Sequence, residues 1–286
     1  MKYCLSLSLI PSRVKPFIDF INQYDNHIKS RLVIINVCTF YKRLNTHFKL
    51  DTNFLQFLKI INSKYSYQKY VLNFCDDYGP ATKLVGGKEY IEKKNINVEY
   101  LIICDDDIFL HSDLFELLCD EKYKYNGITT GSGFDFKGKN YQVREGECQM
   151  VEGYGGICFD VNDFDNDIFE FLKYYKILDF KINDDLINQF LKSCFMGDDC
   201  IISQFYPSKK AVRNGRQYIK ALDYGYTSDA LQKNIIFNGN MGTYDFFKQN
   251  MKVFETFKNK IKLNNKVKNA DSSSSRSLCS SISNSK

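Results

Sequence analysis

The chain has 286 residues, of which 44% are hydrophobic and 26% charged. Length and apolar content together allow one large folded domain and exclude a wholly disordered chain. The formal net charge of +5 is spread along the sequence without a basic stripe, so a nucleic-acid partner is not expected, whereas an anionic small ligand such as a nucleoside diphosphate suits the balance.

In chain order, strand-like and helix-like patterns alternate. Residues 3–9 form an apolar run with interspersed serines, a strand pattern. Val14, Phe17, Ile18 and Ile21 recur at helical spacing over 13–24. The β-branched run 32–37 predicts a second strand, 50–62 a helix, 70–74 a third strand and 81–94 a helix that follows Pro80. Residues 100–104 (YLIIC) predict a fourth strand and 112–119 a helix, with Ser112 or Asp113 as N-cap. Short apolar strands separated by helices predict an α/β fold, a doubly wound, mostly parallel sheet with helices on both faces. Ligands bind such sheets at the carboxyl ends of the strands. The domain is predicted over 1–263. The remainder, 264–286, holds a serine run at 272–275 and few apolar residues, which predicts a disordered tail.

Ten cysteines form neither a CxxC pair nor a Cys/His cluster with zinc spacing, and several sit in apolar strand runs, so reduced structural thiols are expected. The apolar stretch 3–10 is too short for a signal peptide, and no run approaches the ~20 apolar residues of a spanning helix. A soluble, cytoplasmic protein without a transmembrane segment is the expectation.

Four motifs stand where strands end. Asp105-Asp106-Asp107 follows YLIIC. Hard divalent cations take oxygen ligands and share them with phosphate, and D-x-D spacing sends Asp105 and Asp107 to the same side of a strand end. The alternative is a solvated acidic turn that favours the next helix's N-terminus. Gly197-Asp198-Asp199 precedes an apolar segment; it suits a general base, although a helix start is the commoner meaning of such a pattern. Asp77-Tyr78-Gly79-Pro80-Ala81-Thr82-Lys83 follows the third strand, with Asp77 and Lys83 as nucleoside and phosphate contacts or as surface charges of a strand–turn–helix connection. The glycines at 153, 155 and 156 allow a close approach of ligand or backbone but do not form a dinucleotide fingerprint.

Taken in order, these segments resemble the GT-A glycosyltransferases, in particular a branch found in large DNA viruses and some microbes. The resemblance rests on Pro11-Ser12-Arg13, Phe40-Tyr41-Lys42-Arg43, D-Y-G-P-A-T-K-L at 77–84, D-D-D, a Gly-rich strand and G-D-D, and spans 3–240. It implies a GT-A fold and a metal-dependent, inverting transfer from a nucleotide-sugar, UDP-sugars above all, to a glycan or glycoconjugate acceptor. Pro11, Ser12 and Arg13 would line the nucleoside pocket, Asp77 would face base or ribose, and Lys83 would sit near the donor. Asp105 and Asp106 would belong to the donor site, Asp107 with Asp105 would hold Mn²⁺ or Mg²⁺, and Asp199, or else Asp198, would be the catalytic base. The late histidine ligand of many GT-A enzymes has no counterpart, since the histidines are His27, His47 and His111; basic residues in 209–216 would cover the diphosphate instead. If viral, the protein would work in the host cytoplasm or virion. Two alternatives remain: a non-catalytic nucleotide- or glycan-binding domain, and a metal-dependent nucleotidyltransferase. The latter expects a Gly-Gly pair close before an Asp-apolar-Asp motif, whereas Gly86-Gly87 lies a helix and a strand upstream and Asp106 is central.

Overall fold

The computed structural model describes residues 1–41, 46–49, 51–137, 140–177, 197–222 and 255. Lys42, Arg43, Met196 and the predicted tail lie outside the described residues. The first half runs β1 (Tyr3–Ser8), α1 (Val14–Tyr24), β2 (Val33–Cys38), β3 (Phe40–Tyr41), β4 (Thr46–His47), α2 (Thr52–Asn62), β5 (Tyr70–Cys75) and α3 (Thr82–Lys94). It continues with β6 (Tyr100–Ile103), β7 (Ile108–Leu110) and α4 (Ser112–Lys124). Then follow β8 (Ile128–Thr130), β9 (Gly133–Lys137), β10 (Asn140–Arg144), β11 (Gly146–Glu147), β12 (Met150–Val151) and β13 (Ile157–Asp160). The last described elements are α5 (Asn166–Ile177), α6 (Asp198–Phe205), β14 (Lys209–Ala211) and β15 (Ile219–Ala221).

The main sheet has eight strands in the order β11-β14-β8-β13-β6-β1-β2-β5. β6, β1, β2 and β5 are mutually parallel, as the apolar runs predict. β13 enters antiparallel between β6 and β8, and β14 pairs parallel with β8. The sheet is therefore mixed but mostly parallel. Its two faces are packed separately. Cys4, Ile34, Leu101 and Ile103 face Leu84 and Val85 of α3, Ile168 of α5 and Ile201 of α6. Leu5, Ile35 and Ile102 face Phe17 of α1, Phe54 and Leu58 of α2 and Leu114 of α4. Alternation along each strand thus sends one residue to each helical layer, the doubly wound arrangement.

Side chains cap the starts of α2 and α4. Asp51 caps α2 by accepting the Asn53 N–H at 2.9 Å. The cap of α4 is neither Ser112 nor Asp113. His111 is extended there and its Nδ1 accepts the Asp113 N–H at 3.3 Å, a role that an imidazole fills because its neutral ring carries one acceptor nitrogen. Among the described residues, no helix is long and apolar enough to cross a membrane.

Candidate active site

The chain reverses direction across the sheet between β1 and β6, since β2 and β5 lie on one side of β1 and β6 lies on the other. Such a switch point opens a crevice at the carboxyl ends of the two strands. Both ends carry charge. The 3-10 turn Pro11–Arg13 follows β1, and Asp105-Asp106-Asp107 follows β6. Arg13 bridges them, its guanidinium lying 2.5 Å from Asp106 Oδ1 and 3.1 Å from Asp107 Oδ2. All three side chains are largely shielded from solvent, Asp106 most of all. Burial pushes the Asp106 carboxyl up to about 7, with Asp107 and Asp105 adding to the rise and Arg13 opposing it. Burial and the neighbouring Asp105 likewise raise Asp107. On Arg13, burial acts downward, but the carboxylates outweigh it and hold the guanidinium above its ordinary value.

Lys83 reaches the same place from the first turn of α3, and a buried polar chain fixes that helix. Asn36 donates to Ser6 Oγ at 2.8 Å, Asn73 donates to Asn36 Oδ1 and to the Gly86 carbonyl at 2.9 Å, and Ser6 donates to the Lys83 carbonyl at 2.6 Å. The helix can lie this close only because residues 86 and 87 are glycines. A Cβ on Gly86 would stand 2.3 Å from Asn36 Oδ1, and one on Gly87 2.6 Å from Ser6 Oγ. Upstream, Gly79 has φ of 63°, Asp77 Oδ1 accepts its N–H at 2.8 Å, and Thr82 Oγ1 accepts the Tyr78 N–H at 2.9 Å. The D-Y-G-P-A-T-K segment is thus a tight turn that launches Lys83, with Asp77 built into the turn.

The Lys83 ammonium lies 2.5 Å from Asp105 Oδ1 and 2.9 Å from Asp198 Oδ2. Burial alone would lower its pKa; Asp105, Asp198 and Asp199 reverse the sign and hold it well above the ordinary lysine value. Gly197 precedes α6 without a side-chain cap, so Asp198 and Asp199 are first-turn residues of the helix. Asp199 Oδ1 accepts the Gly153 N–H at 2.7 Å. Burial first, and Asp198 second, push the Asp199 carboxyl well above its usual range. Gly153 belongs to the 3-10 turn Gly153–Gly155, and a Cβ there would stand 2.9 Å from Asp199 Oδ1 and 3.2 Å from Lys83 Nζ.

Arg13, Lys83, Asp105, Asp106, Asp107, Asp198 and Asp199 are therefore one continuous cluster. Asp105 and Asp107, expected to act together, pair with different cations, Lys83 and Arg13. Among the described residues, no group of three or more His, Cys, Asp or Glu side chains is arranged to hold a metal ion. Ser12 is exposed and Pro11 half-buried at the start of the Arg13 turn. The basic stretch 209–216 does not present a row of free cations: Lys209 donates to the Tyr206 and Pro207 carbonyls, Lys210 pairs with Glu121 and Arg216 with Glu152. Gly153 as the holder of Asp199, and Glu152 beside it, were not singled out from sequence. The Gly-rich pattern marked the segment but not its partners.

No protein-family model matches the chain, and no curated protein matches it significantly. Several solved structures are similar at low identity. A 4-diphosphocytidyl-2C-methyl-D-erythritol synthase from Anaerococcus prevotii DSM 20548 shares 14% identity over 87% of this chain and 96% of its own, with a TM-score of 0.38. An active-site mutant of LgtC shares 10% over 73% and 72%, with a TM-score of 0.42. A UDP-glucose pyrophosphorylase bound to UDP-glucose shares 14% over 61% and 80%, with a TM-score of 0.33. Likenesses of this degree carry no argument about activity.

Proposed function

We propose that the chain is a glycosyltransferase of the GT-A type, moving a sugar from a nucleotide-sugar donor to a hydroxyl of a glycan or glycoconjugate acceptor with inversion. UDP-sugars are the first donors to try. The observation that carries this reading is the charge imbalance at the switch point. Two cations, Arg13 and Lys83, face five carboxylates in a largely buried cluster. Buried charge without a full counter-charge is costly, and a hard divalent ion relieves an excess of carboxylate oxygens. In this reading Asp107 and Asp105 would be the protein ligands of Mn²⁺ or Mg²⁺, each exchanging its present partner, Arg13 or Lys83, for the ion. When bound, the ion would neutralise charge on the departing nucleoside diphosphate.

The chain's own residues have separable tasks in this reading. Arg13 fixes Asp106 and Asp107 at the rim between β1 and β6, and the turn that carries it, with Pro11 and Ser12, borders the nucleoside side; Asp77 completes that side. Lys83 keeps Asp105 and Asp198 from repelling each other. Asp199 accepts the acceptor's proton: the Gly153 N–H fixes one of its oxygens, and burial, with Asp198 beside it, raises its affinity for a proton. Asp198, paired with Lys83, is the less suitable base.

Purified full-length chain, incubated with UDP- and GDP-sugars and Mn²⁺, is expected to release nucleoside diphosphate. Formation of pyrophosphate from a nucleoside triphosphate and a sugar phosphate would make it a nucleotidyltransferase instead, and nucleotide binding without turnover a binding domain. Asp199→Asn is expected to keep nucleotide binding and to lose roughly 10²–10⁴-fold in turnover, the usual worth of a general base. Full activity in that variant would remove Asp199 from the role.

A further inference from the structure

Around the turn that holds Asp199 lies a second polar group made by three chain segments. Ser132 Oγ donates to Glu152 Oε2 at 2.5 Å and lies 3.0 Å from the Tyr154 hydroxyl. Arg216 donates through Nε to Ser132 Oγ and through Nη2 to Glu152 Oε2, each at 2.8 Å, and its guanidinium sits 5.8 Å from the centre of the Tyr154 ring. Ser132 is buried, Tyr154 half-buried, and the Glu152 and Arg216 side chains are 17% and 41% exposed, so the group has a dry floor and an open top.

Glycines draw the three segments together. A Cβ on Gly131 would meet the Gly155 carbonyl oxygen at 2.5 Å, one on Gly155 the Ser132 nitrogen at 2.5 Å, and one on Gly215 the Gly131 carbonyl oxygen at 2.4 Å. Backbones this close tolerate no side chain. The same turn puts Gly153, whose N–H holds Asp199, between Glu152 and Tyr154. Carboxylate, guanidinium, hydroxyl and phenol therefore flank the turn whose Gly153 N–H holds the proposed base.

We propose that Ser132, Glu152, Tyr154 and Arg216 form the acceptor subsite and recognise vicinal hydroxyls of a hexopyranose. This rests on the glycosyl-transfer reading above. Glu152 accepts from one sugar hydroxyl, Arg216 donates to its neighbour, and the Tyr154 ring borders the sugar's apolar face. That arrangement leaves the adjacent hydroxyl within the Asp199 neighbourhood, where its proton must go. A site that hydrogen-bonds hydroxyls through buried and charged groups discriminates strongly against ligands lacking them.

The test uses full-length protein loaded with UDP and Mn²⁺ and saturation-transfer NMR to methyl hexopyranosides. Wild type is expected to bind at least one of them, and Glu152→Gln to bind it at least ~10-fold more weakly, the worth of a hydrogen bond to a charged group. The affinity for UDP with Mn²⁺ is expected to stay within twofold. Should Glu152→Gln unfold, Arg216→Gln, altered at the most exposed member, carries the same expectation. Equal glycoside binding in wild type and variant overturns the subsite, as does UDP binding with no glycoside binding in wild type; in both cases the transferase reading stands. If GDP binds in Mn²⁺ where UDP does not, the same comparison is made with GDP; absence of binding by both removes that reading and the subsite with it.

Discussion

Lys83→Met keeps the alkyl stem but deletes the ammonium that lies 2.5 Å from Asp105 and 2.9 Å from Asp198. With a side-chain exposure of 4%, Lys83 has no room for solvent to replace the lost charge. Breaking a buried pair by removing one partner costs about 3–5 kcal/mol, because the other charge stays buried without compensation. For a domain of this size each kcal/mol moves the melting temperature by about 2–4 °C, so a fall of roughly 6–20 °C is expected. A double-mutant cycle makes the attribution specific. In an Asp198→Asn background part of the repulsion is already gone, and the cost of Lys83→Met is expected to shrink by about 1–3 kcal/mol. Urea unfolding of the four proteins measures both quantities. A single-variant cost below ~1 kcal/mol, or one unchanged by Asp198→Asn, would refute the claim that Lys83 holds the carboxylates together.

Gly86→Ala forces a methyl to 2.3 Å from Asn36 Oδ1; thermal unfolding is expected to show a loss of about 1–3 kcal/mol. Turnover should fall as well, because the first turn of α3 carries Lys83. Gly153→Ala crowds Asp199 Oδ1 at 2.9 Å, and a displacement of the base is expected to cost up to ~10²-fold in turnover with nucleotide affinity retained. Far from the site, Asp25 accepts from Tyr70 and Tyr65 at 2.7 Å and from Lys69 at 2.9 Å. Burial acts to raise its carboxyl, but Tyr70, Tyr65 and Lys69 outweigh burial and hold it below the ordinary value. Its stabilising contribution is therefore complete above the unfolded carboxylate value of about 4 and is lost as pH falls through the lower folded value. Asp25→Asn is expected to unfold about 3–5 kcal/mol more easily at neutral pH and to show a flatter acid dependence.

The half of the fold that builds the switch point was legible because its strands are buried on both faces and read as short apolar runs. Residues 32–37 and 100–104 mark β2 and β6 to within one residue. The antiparallel entry of β13 between β6 and β8 was not legible, since four residues, Ile157–Asp160, carry no signal of direction. At the site, the carboxylates of the central cluster, Asp105, Asp106, Asp107, Asp198 and Asp199, stood out by their position after a strand or before a helix, whereas Glu152 did not. The sequence did not reveal their partners, because pairing across 93 residues, as between Arg13 and Asp106, depends on strand order. For the same reason neither the Asp106–Arg13 pair nor the Arg216–Glu152 pair was legible. His111 as a cap escaped notice because imidazole is an uncommon choice beside Ser112 and Asp113.

Calorimetric titration of uridine and guanosine diphosphate into the wild-type chain and Asp107→Asn, each with and without Mn²⁺, addresses the carboxylate cluster directly. One of the nucleotides should bind wild type tightly only when Mn²⁺ is present, and Asp107→Asn should lose that ion-dependent increment while unfolding at a similar temperature. Binding that ignores Mn²⁺, or an undiminished increment in Asp107→Asn, would contradict a divalent-ion and diphosphate site between β1 and β6.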